Sequence, residues 1–189
     1  MTDKLYIKSM VCDRCISAVK QELEKLKIDA NSVSLGEVTL KNSISSSQLV
    51  ALQIQLNLLG FEVIDDKKTQ FVQRIKNAII ELIHHNNSRK SISSYSRYLS
   101  ELLNKDYSFI SSVFSELEGI TIERYVIHQK IEKVKELLTY NEKNISEIAD
   151  ELEYSSVGHL SNQFKKITSM SPSQFKTMVD NTRLPLDKV

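Results

Sequence analysis

The chain has 189 residues, and no apolar run in it approaches the roughly 18 residues that a membrane span requires. Its opening, Met1-Thr2-Asp3-Lys4-Leu5-Tyr6, lacks the basic stretch followed by a hydrophobic one that marks a secretory signal. These two absences predict a cytoplasmic protein without membrane contact. Charge of one dominant sign is also missing: 25 Lys and Arg stand against 24 Asp and Glu, for a net charge of +1. There is no phosphate loop, no metalloprotease helix and no nucleophile–base constellation, so an enzyme is not expected. Cysteine is scarce. Both cysteines of the chain fall within Met10-Val11-Cys12-Asp13-Arg14-Cys15.

What is present is unevenly spread. Residues 1–66 carry 7 basic and 9 acidic side chains, residues 67–90 carry 6 and 1, and residues 91–189 carry 12 and 14. An acidic balance in the last third counts against DNA, whose affinity for proteins is largely electrostatic. Between Tyr154 and Val179, however, there is no acidic residue, while Lys165, Lys166 and Lys176 are present.

That acid-free window coincides with a helix-turn-helix pattern. Ile145, Ile148, Ala149 and Leu152 supply a short first helix, with the small Ala149 allowing a second helix to cross closely. Ser155 or Ser156 can cap the recognition helix and place its backbone N–H groups near phosphate. Leu160 and Phe164 face inward, and Val157, Gly158, Ser161, Asn162 and Lys165 face outward. Asn162 and Gln163 can pair with adenine edges, and Lys165 or Lys166 can reach guanine or phosphate. His159 lies on the same helix. A fainter copy runs from Leu99-Ser100-Glu101-Leu102-Leu103 through Phe109-Ile110-Ser111-Ser112-Val113-Phe114 to Gly119, with Ser108, Ser111 and Ser112 as its candidate contacts. A long helix from Thr121 to Tyr140 would separate the two units, burying Ile127, Ile131, Val134, Leu137 and Leu138.

By these residues, and by the closing Ser171-Pro172-Ser173-Gln174-Phe175, the segment from about Ser91 to Met178 resembles the AraC/XylS family of bacterial transcription regulators. The resemblance implies a seven-helix domain with two helix-turn-helix units that read double-stranded DNA. The chain departs from the family's pattern at several positions. Ser112 and Ser115 replace basic residues in the first unit, Asn162 replaces a frequent arginine, and Glu153 and Ser169 stand where glycine is usual.

The first 66 residues read as alternating strands and helices. Leu5-Tyr6-Ile7 is a strand, Cys15 to Leu26 a helix, Val33–Leu35 and Val38–Leu40 a hairpin across Gly36, Leu49 to Leu59 a helix ended by Gly60, and Phe61–Ile64 a last strand. The order βαββαβ predicts a ferredoxin-like antiparallel sheet under two helices, and the whole chain an α+β protein. The expected divisions are 1–66 for this domain, 67–90 for an amphipathic linker helix and loop, 91–180 for the DNA-binding domain and 181–189 for a tail. Arg74 and Lys76 are expected on the solvated side of the linker helix, and His84-His85 as a solvated pair beyond it.

Cys12 and Cys15 sit where the first strand gives way to the first helix. Helix N–H groups and Arg14 should lower their pKa values and favour thiolates. Two soft sulfurs without further ligands suit Cu(I) or another soft metal ion better than tetrahedral Zn(II). With βαββαβ around it, Met-x-Cys-x-x-Cys resembles the heavy-metal-associated domain, in which the two cysteines bind metal and the methionine packs beneath the loop. Ser9 stands for that family's usual glycine. Together the two resemblances imply a sequence-specific DNA-binding regulator that senses a soft metal ion through Cys12 and Cys15, with RNA polymerase or a metal-donor protein as further partners. Two alternatives stay open: a metal-free interaction module at the N-terminus, and a metal carrier rather than a regulator.

Overall fold

The computed structural model describes residues 4–85, 94–177 and 183–189. Most of the polar loop expected before the DNA-binding domain, the end of that domain and the start of the tail lie outside them. The chain forms two compact units, Met1–Glu81 and Leu82–Val189.

In the first unit the order is β1 (Lys4–Lys8), α1 (Asp13–Lys25), β2 (Ala30–Ser34), β3 (Glu37–Leu40), α2 (Ser46–Leu58), β4 (Glu62–Ile64) and α3 (Lys67–Ile80). The strands form one antiparallel sheet in the order β2-β3-β1-β4, the ferredoxin-like arrangement expected from βαββαβ. Registers such as Leu5 opposite Val38 and Tyr6 opposite Ile64 fix which side chains share a face. Ile7, Val38 and Leu40 then meet Val19 and Leu23 of α1 and Leu52 and Leu56 of α2 in a core that also encloses Met10 and Phe61. Each such side chain contributes about 1.5–3 kcal/mol by leaving water.

Helix α2 starts at a reciprocal cap, in which Ser45 accepts from the Gln48 N–H and the Gln48 side chain accepts from the Ser45 N–H. Helix α3 is hydrogen-bonded to the sheet. Asp66 caps it, accepting from the Thr69 N–H at 2.7 Å, and these bonds hold the Asp66 carboxyl below its usual range. Gln70 donates to the Ile64 carbonyl at 2.7 Å, and Asn77 donates to the Leu35 carbonyl at 2.9 Å. Gly36 has a φ of +72°, and a Cβ there would fall 1.8 Å from Asn77 Nδ2. The β2–β3 turn and α3 therefore fit only with glycine at this position. Lys76 is buried rather than solvated, while Arg74 is half-buried.

After a single π-helical turn, Glu81–His85, the second unit is helical: α4 (Tyr95–Leu103), α5 (Tyr107–Glu118), α6 (Ile122–Tyr140), α7 (Ile145–Glu151), α8 (Val157–Thr168) and α9 (Pro172–Thr177). Ile131, Val134 and Leu138 of α6 pack with Ile148 and Ala149 of α7, Leu160 and Phe164 of α8 and Phe175 of α9. Ile127 and Leu137, expected on the same buried stripe, are only partly covered. The last described residues run along α6. Arg183 donates to Glu136 at 2.8 Å, the Leu184 N–H donates to Glu132 at 3.0 Å, and Gln129 donates to the Leu186 carbonyl at 3.0 Å.

Candidate nucleic-acid interface

The second helix-turn-helix is α7 and α8. Asn144 and Glu147 form a capping box at the start of α7. The turn between the helices needs a left-handed residue, and Glu153 supplies it at φ +56°. This is the physical reason that glycine is usual there, and Ser169, at φ +64° after α8, repeats the situation.

The turn is held from inside by a residue that sequence reasoning missed. Lys130 of α6 donates to the Leu152 carbonyl at 2.6 Å, and its ammonium lies 5.3 Å from the Tyr154 ring centroid and 5.7 Å from that of Tyr95 on α4. Burial lowers its pKa. Helical periodicity carries no signal of this role, because the contact depends on where α6 crosses the turn.

Of the two candidate caps, Ser156 is the one that closes the helix start, accepting from the His159 N–H at 3.0 Å. Ser155 pairs instead with His159 Nδ1 at 3.0 Å. Ser155, Ser156, Val157, Gly158, His159, Asn162, Lys165 and Lys166 are all exposed. Gly158, Asn162 and Lys165 follow an i, i+4, i+7 spacing and so share one face of α8. Gln163 differs from expectation: Tyr154 donates to its Oε1 at 2.7 Å and it is half-buried. Its carbonyl is thus engaged, which leaves no free donor–acceptor pair for an adenine edge. Asn162, by contrast, is exposed. The surface combines a capped helix N-terminus, one exposed amide and two lysines, with no carboxylate from Tyr154 to Thr177.

The first unit, α4 and α5, brings Ser108 and Ser112 to the corresponding face, with Ser111 half-buried behind them. Phe109 is half exposed there, with the Lys105 ammonium 5.9 Å from its ring centroid. Tyr107 donates to Glu123 at 2.5 Å, which ties the start of α5 to the start of α6.

Helix α6, between the two units, carries a polar node. Gln129, fully buried, contacts His84 Nε2 at 3.0 Å and donates to Tyr125 Oη at 3.0 Å. His84 is half-buried rather than part of a solvated pair, and that burial lowers its pKa to about 4. His85 is exposed.

The cysteine pair lies in the other unit. Cys12 precedes α1, Cys15 stands in its first turn, and their sulfurs are 3.4 Å apart. Cys15 Sγ also lies 3.9 Å from the Ser9 carbonyl. Ser9 has φ +68°, which accounts for the preference for glycine there, and Met10 is fully buried beneath the loop. Contrary to the expected thiolate, the Cys15 pKa is raised: burial dominates, and the backbone hydrogen bonds that lower it do not compensate. Among the described residues no third His, Cys, Asp or Glu joins the pair. The donor set is therefore two sulfurs, which fits a low-coordinate soft ion and not a closed four-ligand zinc site.

Residues 99–178 match a family model described as a helix-turn-helix domain. Over 137 residues, 72% of the chain, the sequence is 26% identical to the probable transcriptional regulator LumQ of Photobacterium leiognathi. The match covers 52% of LumQ, so the chain spans about half the length of this curated relative. Among solved structures, the C-terminal domain of AraT, a response regulator from Geobacillus stearothermophilus, aligns with a TM-score of 0.50 at 24% identity, covering 63% of this chain and 95% of that one. The C-terminal domain of the two-component response regulator yesN from Fusobacterium nucleatum aligns with a TM-score of 0.46 at 28% identity, over 55% of this chain and 95% of that one.

Proposed function

We propose, from the AraC-type helix-turn-helix domain at residues 99–178, that this chain is a cytoplasmic, sequence-specific DNA-binding transcription regulator and not an enzyme. The observation that carries this reading is the outward face of α8, where Asn162 and Lys165 share a side free of carboxylates beside a capped helix start. Such a helix can lie in the major groove with its N-terminal half over base edges and its lysines toward phosphate. RNA polymerase is the partner through which a DNA-bound regulator of this kind would act. DNA-protection mapping of the full chain on genomic fragments tests the reading. Discrete protected sites are expected, and uniform salt-labile binding with no protected site would overturn it.

A second reading rests on the 3.4 Å separation of the Cys12 and Cys15 sulfurs. One soft ion such as Cu(I), delivered by a metal-donor protein, would touch both sulfurs, with Arg14 beside them to offset the charge of the dithiolate. Because burial holds Cys15 as a thiol, binding must release a proton and should weaken as pH falls. Anaerobic Cu(I) titration against a competing chelator should give about one equivalent per chain, lost in Cys12→Ser. A stoichiometry unchanged by that substitution would leave the first unit as a metal-free interaction module.

A further inference from the structure

Lys130 grips the α7–α8 turn on both sides of its strained residue. Glu153 sits at φ +56°, a left-handed conformation that residues with a side chain avoid. Just before it, the Leu152 carbonyl accepts from the Lys130 ammonium at 2.6 Å. Just after it, the Tyr154 ring lies 5.3 Å from the same ammonium. The Tyr95 ring of α4, at 5.7 Å, is a second aromatic face that confines the cation. Tyr154 carries this hold forward to α8. Its hydroxyl donates to Gln163 Oε1 at 2.7 Å, and its ring meets that of His159 edge-on, with centroids 5.4 Å apart and planes at 82°. His159 and Gln163 are spaced i, i+4, so one buried side chain touches α8 on two successive turns.

We propose that Lys130 is a positioning residue for DNA recognition, which acts through Tyr154 to fix the angle at which α8 presents Asn162 and Lys165. The inference rests on the reading of α8 as the DNA-reading helix. Lys130 is half-buried, with its ammonium engaged by the Leu152 carbonyl and two rings, so it is not a phosphate contact. Without the ammonium, the Leu152 carbonyl loses a donor and the Tyr154 ring loses its cation. Glu153 is then released from its left-handed conformation, and α8 turns with it. Base readout depends on the angle of the helix, whereas attraction to phosphate depends chiefly on its charges. Loss of Lys130 therefore separates the two.

Gel shifts of the full chain on a protected site and on unrelated DNA test this. Lys130→Met keeps the aliphatic stem and removes the ammonium. It should lose about tenfold or more on the site but less than about twofold on unrelated DNA, with the salt slope unchanged. Lys130→Arg, which keeps a cation and a donor, should recover most of the loss. Tyr154→Phe removes only the hydroxyl that holds Gln163 and should weaken site binding in the same selective way, by a smaller factor. Equal losses on both DNAs, a salt slope shallower by about one phosphate contact, or unchanged affinity for the site would overturn the proposal. A second arm needs no DNA. The chain has four histidines, and His159→Gln identifies the His159 ring signals in its NMR spectrum. Those signals should shift in Lys130→Met and return in Lys130→Arg; signals that stay in place would overturn the hold on α8. Failure of this arm counts against Lys130, whereas a wild type without a protected site counts against the DNA reading.

Discussion

In the first helix-turn-helix unit, Phe114 of α5 meets Tyr125 of α6 with ring centroids 5.5 Å apart. In the second, Phe164 of α8 meets Phe175 of α9, also at 5.5 Å. Each ring of the second pair lies fifty residues after its counterpart in the first. The same offset relates Ile110 to Leu160 in the buried interior, Gly119 to Ser169 at the left-handed helix ends, and Thr121 to Ser171 at the following caps. Outside, the correspondence stops. Ser108, Phe109, Ser112, Ser115 and Glu116 occupy the places of Gly158, His159, Asn162, Lys165 and Lys166. Packing thus constrains the interior of both units alike, while the outward face is free to differ: Lys165 and Lys166 stand where the first unit has Ser115 and Glu116.

This comparison predicts equal scaffolds. Phe114→Ala and Phe164→Ala each remove a fully buried aromatic ring and should each cost about 3–5 kcal/mol in urea unfolding. A large loss at one and a negligible loss at the other would break the structural equivalence.

The helix between the units supplies the next test. His84 has a pKa of about 4 in the folded chain against an ordinary 6.5, so between those values the unfolded chain binds more protons. Its contribution is complete above about pH 6.5 and is lost as pH falls toward about 4, by up to about 3 kcal/mol. His84→Gln should flatten that part of the stability–pH curve. Because the contact with Gln129 is on α6, both units should loosen together, and hydrogen exchange in α5 and α8 would report it. Loss confined to one unit would sharpen the comparison by locating where α6 is coupled.

A smaller effect separates the two left-handed ends. Ser169 and Gly119 adopt φ +64° and +69°, and nothing crowds a Cβ at Gly119. Ser169→Gly should therefore stabilise, and Gly119→Ser destabilise, each by about 1 kcal/mol in thermal unfolding. Changes of the same sign would show that the two ends are not equivalent.

Much of this was legible in the sequence because it follows from period and spacing. The βαββαβ order came from hydrophobic alternation around Gly36 and Gly60, and the two helix-turn-helix units from the recurrence of inward Leu, Ile and Phe. Illegible were contacts made across distance. Lys130 under the Leu152 carbonyl, Gln129 beneath His84, and Asn77 against the Gly36 turn are polar side chains whose partners are set by how helices cross. Lys76 and His84 read as solvated for the same reason: a charged or polar letter says nothing of the helix that will cover it. On α8, Gln163 looked equivalent to Asn162 until Tyr154 was seen to engage it. At Cys15 the sign of the pKa shift turned on burial, which spacing does not report.

We propose that DNA is bound chiefly through the second unit. Gel-shift titration on a protected site, comparing Asn162→Ala and Lys165→Ala with Ser112→Ala, tests it most directly. Each of the first two should weaken binding by about 1–3 kcal/mol, while Ser112→Ala should leave affinity unchanged. Equal losses from both units would contradict it.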